Sequence, residues 1–490
     1  MANSSDEYIL TVGIETHVQL KTKSKLFSGA DNNDIDKLPN SVVNHIDFGL
    51  PGALPVLNER AIELASKAAF ALNSRPQSFS KFDRKHYFYP DLPMGYQISQ
   101  YDEPIILGGY VEFLVNGEVK KVNITRAHLE ADAGKSIHRD NDNYSLVDLN
   151  RAGTPLLEIV SEPELHSAKD AKAYVRELYL LMRYSEVSNA NLFFGNMRFD
   201  VNVSVSKDDT LGVRTETKNL NSFRSVERAI NFERDRQINT LKKGKKITQE
   251  TRGWDDSRGQ GFLMRTKENA DDYRYMPDPD LPPVILEDEY IDEIKRSMPN
   301  LPMFWRSKLK IHKLDNSIVE SLIDSEAIYT VKNLEFVSNL DTKQAKVIAN
   351  WIVNIELPLR SNHMDKTDEG ISLSDNDRHK MYLDIYDLYN QAKLSSSNVK
   401  NLIKRLLLSK SLPASISEYI SKEGLIQSSD SNKIEEAVEL AIKNNPKAIE
   451  DIKAGQDKAI KYLVGQVMAI TKGQANPVIV TEIIMKKVGE

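Results

Sequence analysis

The sequence contains no cysteine. That excludes disulfides, thiolate zinc ligands and a cysteine nucleophile, and it fits a reducing, cytoplasmic setting. No apolar run approaches the roughly 20 residues that span a bilayer, so no membrane segment is expected. The opening residues MANSSDEYIL lack the basic and apolar regions of a secretory signal. A basic excess is also missing: 65 Lys and Arg against 71 Asp and Glu give a formal net charge of −6. A polyanionic partner must then be met by local basic patches. The chain has no complete phosphate loop either. DAGKS (132–136) ends like one, but the required glycine five positions before Gly134 is Leu129, which excludes a Walker-type nucleotide site. No G-x-S-x-G nucleophile elbow occurs.

At 490 residues, 40% hydrophobic and 28% charged, the chain is globular in composition and long enough for two to four domains. Up to about residue 295 the pattern is mixed. Strand-like alternation recurs at 10–20, 110–115, 119–130, 155–160, 197–206 and 212–219. Helical patterns interrupt it. One follows Asn58, one opens at Ser167 and Asp170 like a capping box, and one follows Ser222. Strands and helices without strict alternation predict an α+β domain on an antiparallel or mixed sheet. The proline-rich YRYMPDPDLPPV (273–284) reads as a stiff exit that closes this domain. Beyond about 296 the pattern is helical, at 377–392, 397–409, 432–444 and 457–471, with SLPAS (411–415) and QSSDSN (427–432) as breaks. The expected division is a mixed α+β domain at 1–295, a helical domain at 296–410 and a helical tail at 411–490.

Five of the strand-like segments share one design. In VGIETHVQL, Val12, Ile14, Thr16, Val18 and Leu20 face one way, while Gly13, Glu15, His17 and Gln19 face the other. ITRAHLEAD sets Arg126, His128, Glu130 and Asp132 on one side, and LLEIV turns Glu158 away from Leu157 and Ile159. MRFDVNVSV presents Arg198, Asp200, Asn202 and Ser204, and VRTETKN presents Arg214, Glu216 and Lys218. Such faces are either the wet side of a half-buried sheet or the floor of a site. Short carboxylates with histidine suit a hard cation such as Mg²⁺, held by two or three protein groups with positions left for water and a nucleotide. Two other segments have two readings each. The aromatic run KHYFYPDLPMGYQISQY (85–101) is a stacking platform or a rigid loop over the core. The basic LKKGKKI (241–247) is a phosphate contact or a solvated turn. The tail helix at 455–477, closed by Lys472 and Gly473, has an apolar stripe of Ile460, Leu463, Val464, Val467 and Met468. Lys458 and Lys461 lie near its start, where they suit a nucleic-acid backbone.

Taken in order, VGIETHVQLKTKSKLFS, FGLPGALPVLN, KFDRKHYFYPDLPMGYQISQ, HLEADAGKS, SLVDLNRAGTPLLEIVSEP, MRFDVNVSV, ETKNLNSF, the long segment from Gln249 to Pro283, and KGQANP resemble the B-subunit family of tRNA-dependent aspartyl/glutamyl amidotransferases. The match runs along essentially the whole chain. The resemblance implies a cradle-shaped catalytic domain, a helical domain and a tail that contacts tRNA. It implies a heterotrimer in which a glutaminase (the A subunit) and the small C subunit join this chain. The implied reaction is a C–N ligation. ATP phosphorylates the side-chain carboxylate of misacylated Glu-tRNA(Gln) or Asp-tRNA(Asn), and ammonia channelled from the glutaminase displaces the phosphate. By the same resemblance His17, Glu130 and Glu158 are Mg²⁺ ligands, and Glu15 and Asp200 line the catalytic site.

The chain departs from the family pattern in several places. Two usual cysteine pairs are replaced around Ser28, Ala30, Asn44 and Asp47, so no zinc is expected and the loop should be held by packing. A usual lysine is Met94 and a usual acid is Ala131, expected to be a charge pair along the ammonia path that was lost as a unit. A usual cysteine is Phe199, on the apolar face. An archaeal-type relative would carry an inserted synthetase-like domain, for which the chain is too short. A non-catalytic scaffold is opposed by the intact Glu15, His17, Glu130, Glu158 and Asp200.

Overall fold

The computed structural model describes residues 8–138, 143–266, 273–325, 328–364, 373–426, 431–453, 457–471, 475 and 477–489. The expected helix end at Lys472 and Gly473, and most of the QSSDSN break, lie outside the described residues. The chain forms two units, Met1–Pro302 and Met303–Glu490. The first contains β1 (Ile9–Gln19), α1 (Glu59–Ala71), β2 (Phe79–Ser80), β3 (Asp83–His86), β4 (Tyr96–Ser99), β5 (Ile106–Leu107), β6 (Tyr110–Val115) and β7 (Glu118–Ala131). It continues with β8 (Lys135–His138), β9 (Ser145–Asp148), β10 (Pro155–Ser161), α2 (Ala168–Tyr184), β11 (Met197–Ser206), β12 (Thr215–Leu220) and α3 (Phe223–Lys242). β13 (Glu250–Asp255), β14 (Gln260–Thr266), β15 (Met276–Pro277), β16 (Val284–Ile285) and α4 (Asp288–Arg296) complete it. This is the expected α+β architecture.

The main sheet runs β14-β13-β12-β11-β1-β10-β7-β5, with β6 also on β7. Its pairs are antiparallel except β12 with β13, so the sheet is mixed. The five one-sided segments are the consecutive strands β12, β11, β1, β10 and β7. Their apolar sides form one surface: Val12, Ile14, Val18, Leu129, Leu157, Ile159, Phe199, Val201 and Val203 are at most 1% exposed. Tyr174, Val175 and Leu178 of α2 and Val226 and Ile230 of α3 belong to the same core. Burying a side chain of this kind contributes about 1.5–3 kcal/mol, so the register that sends this face inward is strongly selected. The helices start where the caps predict. Asn58 accepts from Arg60 N, Ser167 from Asp170 N and Ser222 from Ser225 N. Phe199 fills its place on the apolar face, 6.2 Å from the Phe223 ring.

The loop after β1 departs from expectation, because polar contacts hold it. The fully buried Lys25 ammonium lies 3.2 Å from Asp47 Oδ2. Ser28 Oγ donates to Asp47 Oδ1 (2.9 Å) and Asn44 N donates to Asp47 Oδ2 (2.9 Å). Gly153, at φ +81°, leaves room for this group: a Cβ there would sit 2.8 Å from Asp47 Oδ1. The proline-rich segment is likewise no bare exit. β15 pairs with β3, β16 pairs with β2, and Ile291 of α4 is buried in the first unit's core. Met94 packs against that core, of which Ala131 is a member. Main-chain and side-chain bonds tie their two segments together: Gly134 N donates to Asp91 O, and Gln97 Nε2 donates to Ala131 O.

The second unit is helical. A π-helical turn at Ile352–Glu356 buries Glu356, which accepts from Arg378 Nη1 (2.6 Å) and Tyr382 Oη (2.7 Å). A separate cluster of Ile434, Val438, Leu463, Val467, Val480 and Ile484 forms the core of its last helices. Leu463 and Val467 carry the expected apolar stripe. Among the described residues no helix is long and apolar enough to cross a membrane.

Burial of the Lys25–Asp47 pair yields a prediction. Asp47→Asn strands a buried ammonium and should cost about 3–5 kcal/mol in urea denaturation, whereas Lys25→Met/Asp47→Asn should cost clearly less. Equal losses would show that the loop does not depend on the charge pair.

Candidate active site

The polar sides of the five strands meet in register. On the two sides of β1, His17 pairs with Glu158 of β10 and Arg198 of β11. Glu158 pairs in turn with His128 of β7, and Glu130 lies across from Leu156. His17 Nε2 is 3.4 Å from Glu158 Oε2 and 3.8 Å from Glu130 Oε1. His17, Glu130 and Glu158 each bring one ligand atom, all within 4.8 Å of one another. Glu130 Oε2 and His128 Nδ1 are buried with no hydrogen-bond partner among the described residues. Two carboxylates, an imidazole and an unsatisfied buried oxygen fit a hard divalent cation with open positions.

Glu15 and Asp200 face each other across β1 and β11. With Glu216 they form a second trio whose oxygens also lie within 4.8 Å. Here Lys218 answers the charge, 3.0 Å from Asp200 Oδ2 and 2.7 Å from Glu216 Oε1. Asn219 N donates to Asp200 Oδ1 (2.7 Å), and Asn202 Nδ2 donates to Glu15 Oε1 (2.9 Å).

Charge crowding sets the protonation states. Burial alone would depress His17, but the Glu158 hydrogen bond and the charges of Glu158, Asp200 and Glu130 raise it to about 9. Burial would raise Glu158, yet His128 and His17 hold it well below the carboxylate range. Burial and then Glu158 push Glu130 up, and burial, Glu158 and Glu216 push Glu15 up to about 7. Burial lowers His128 to about 4, so it is neutral. Burial would raise Asp200, but Lys218 and His17 hold it down.

All five expected site residues, Glu15, His17, Glu130, Glu158 and Asp200, thus share one face. The structure adds two groups. His128, on the polar side in the sequence but given no role there, has Nε2 3.6 Å from Glu158 Oε2. Lys85 of β3 pairs in register with Gln97 of β4, whose side chain is bonded to β7. Its ammonium lies 5.0 Å from the Tyr273 ring centroid. Burial would lower its pKa, but the charge of Glu130 raises it. Tyr87 edges Tyr273 at 6.2 Å, and Tyr101 stacks on Tyr275 at 4.0 Å. The aromatic run packs on tyrosines from 273–275, nearly 200 positions away, so local spacing carries no signal for Lys85.

The mixed sheet thus presents an acidic, imidazole-bearing cluster from adjacent strands. The family model described as the GatB/GatE catalytic domain matches residues 10–292, and the GatB domain model matches 334–488. The chain is 41% identical to the aspartyl/glutamyl-tRNA(Asn/Gln) amidotransferase B subunit of Caldicellulosiruptor bescii, covering 98% of this chain and 99% of that protein. The Persephonella marina protein of the same name is 42% identical (98% and 99% covered), and that of Legionella pneumophila is 41% identical (99% and 100% covered). The chain belongs to the GatB family.

The raised His17 pKa has a pH consequence in metal-free protein. A group raised from 6.5 to about 9 on folding stabilises fully below 6.5 and loses that contribution as pH rises through 9. Glu15, raised to about 7, has largely titrated before the upper part of that window. With chelator present, the urea midpoint should fall between about pH 7 and about pH 9, and His17→Gln should flatten the fall. An unchanged fall in His17→Gln would reassign the titration.

Proposed function

We propose that this chain is the kinase and transamidase subunit of a tRNA-dependent amidotransferase. It converts misacylated Glu-tRNA(Gln), Asp-tRNA(Asn) or both to the amidated forms, in the cytoplasm with the other reactants of translation. The supporting observation is the His17–Glu130–Glu158 cluster at the centre of the polar face, in a chain whose relatives carry that enzyme's name.

A side-chain carboxylate resists ammonia because oxide is a poor leaving group. Its oxygen attacks the γ-phosphorus of ATP and ADP departs; ammonia then attacks the acyl carbon and phosphate leaves, forming the C–N bond. His17, Glu130 and Glu158 would hold Mg²⁺, which when bound neutralises phosphoryl charge. Glu15 and Asp200 line the same face. Lys85 brings an ammonium to the acidic cluster and suits the oxygens of a transferring phosphoryl group. Asp200 stays ionised through Lys218 and keeps β12 fixed against β11. The A subunit supplies ammonia from glutamine, the C subunit joins the pair, and residues 411–490 contact tRNA. No zinc is assigned.

The test is glutamine- and ATP-dependent amidation of Glu-tRNA(Gln) and Asp-tRNA(Asn) by the chain assembled with the A and C subunits. Glu130→Ala and Glu158→Ala should each lower turnover at least about 100-fold, with glutaminase activity retained. Undiminished amidation would refute the assignment, and a non-catalytic scaffold would give no amidation even with the unsubstituted chain.

A further inference from the structure

The basic turn LKKGKKI (241–247) takes no part in the catalytic face, yet the fold holds it in a fixed shape. α3 ends in a Schellman turn. Gly244, at φ +70°, donates its N–H to Leu241 O (2.9 Å), and Lys245 N donates to Thr240 O (3.1 Å). Lys242 and Lys243 at the helix end complement its dipole. Lys245 and Lys246 lie past the turn, where that account does not reach. Lys243, Lys245 and Lys246 are exposed and make no ion pair among the described residues.

Beside this turn lies a groove of about 490 Å³. Tyr8, Val205, Val213, Leu241 and Ile247 line it, joined by Lys207 and Lys246, and its lining includes no acid. The loop after β11 forms one wall. A Cβ at Gly212 would lie 2.3 Å from Val205 O, so only glycine lets this loop lie flush on the strand. The residues on either side of Gly212 stay uncovered: Leu211 is 66% exposed and Val213 is 49% exposed. Clustered apolar surface of this kind marks a face that a partner covers. His17 is nine residues beyond Tyr8, about 30 Å along an extended strand, so the groove stands apart from the metal-binding trio.

Aliphatic walls with a lysine rim select one class of ligand. Single-stranded nucleic acid is met by lysines together with rings on which bases stack. Tyr8 is the single ring in this lining, and Lys207 Nζ already sits 5.2 Å from its centroid. Val205, Val213, Leu241 and Ile247 instead offer a seat for an apolar side chain. Acidic groups near the rim are Asp208 and Asp209, which follow Lys207 at the loop tip, and Asp208 Oδ1 is engaged by Thr210 N (3.0 Å).

We propose that this groove docks an acidic peptide segment of a protein partner. An apolar side chain of that segment sits on Val205, Val213, Leu241 and Ile247, and its carboxylates meet Lys243, Lys245 and Lys246. The inference goes beyond the transamidase reading and does not depend on it.

The experiment measures fluorescence anisotropy with the purified full-length chain. The probe is a labelled dodecapeptide of glutamates around a central Leu-Leu pair. Its controls are a Ser-Ser form, a form with glutamine for glutamate, and an oligouridylate of the same number of units. Losing either the leucines or the charge should weaken binding at least about tenfold. Lys246→Glu and Val213→Asp, both at exposed positions, should each weaken it by a similar factor. Lys243→Glu/Lys246→Glu should reverse the preference, toward a peptide with lysine for glutamate. No binding of the Leu-Leu peptide overturns the proposal, as does affinity that survives both Lys246→Glu and Val213→Asp. Equal binding of the Ser-Ser form overturns it by reducing the contact to charge alone. Tighter binding of the oligouridylate, lost in Lys246→Glu, overturns it by making the groove an RNA contact.

Discussion

Everything in the first unit answers to one electrostatic constraint: carboxylates from adjacent strands are crowded on one half-buried face. Glu15, Glu130, Glu158, Asp200 and Glu216 project from β1, β7, β10, β11 and β12, and Glu130 and Asp200 are buried. Carboxylates so arranged repel one another and lose hydration, so the fold must bring positive charge to them. It does so with side chains from different strands. His17 lies between Glu130 and Glu158, and Lys218 lies beside Asp200 and Glu216. Lys85 comes from a separate small sheet.

The apolar face makes that crowding tolerable. A strand whose alternate residues are Val12, Ile14, Val18 and Leu20 cannot slip by one position without exposing all of them. Antiparallel pairing carries the same phase from β1 to β10 and β11 and on to β7, so the polar side chains are forced together wherever the apolar ones are packed. The energy that holds the acids together is hydrophobic and comes from the opposite side of the sheet.

Much of this was legible in the sequence because it is local. Alternation gave the polar faces of five strands within a residue or two, except β12, which starts at Thr215, three residues later than expected. Asn58, Ser167 and Ser222 marked three helix starts because a cap acts within one turn. What stayed hidden depends on contacts distant in sequence. Strand order is one example. Lys85 acquires its surroundings from Glu130 and Tyr273, and Asp47 becomes the partner of a buried Lys25. Prolines suggested a stiff exit at 273–284, but short pairings with β2 and β3 weave that segment into the unit, since proline is compatible with edge strands. The family resemblance, not periodicity, singled out His17, Glu130 and Glu158 from the sixteen polar-face residues of the five segments.

The two acid trios differ in what neutralises them, and this separates their chemistry. Lys218 beside Asp200 and Glu216 is held charged by its neighbours, far above neutral pH. Displacing it from that trio would require moving a bonded ammonium. His17 titrates at about 9, so near neutral pH its proton can be given up at modest cost to an incoming cation, after which the same nitrogen becomes a ligand. A histidine can exchange a proton for a metal at one atom, whereas a lysine remains a fixed counter-ion. The His17 trio therefore suits a site that gains and loses positive charge, and the Lys218 trio suits a fixed wall that keeps Asp200 ionised and in place. One sheet face thus carries an exchangeable centre beside a permanent one, a division set by whether imidazole or ammonium stands among the acids.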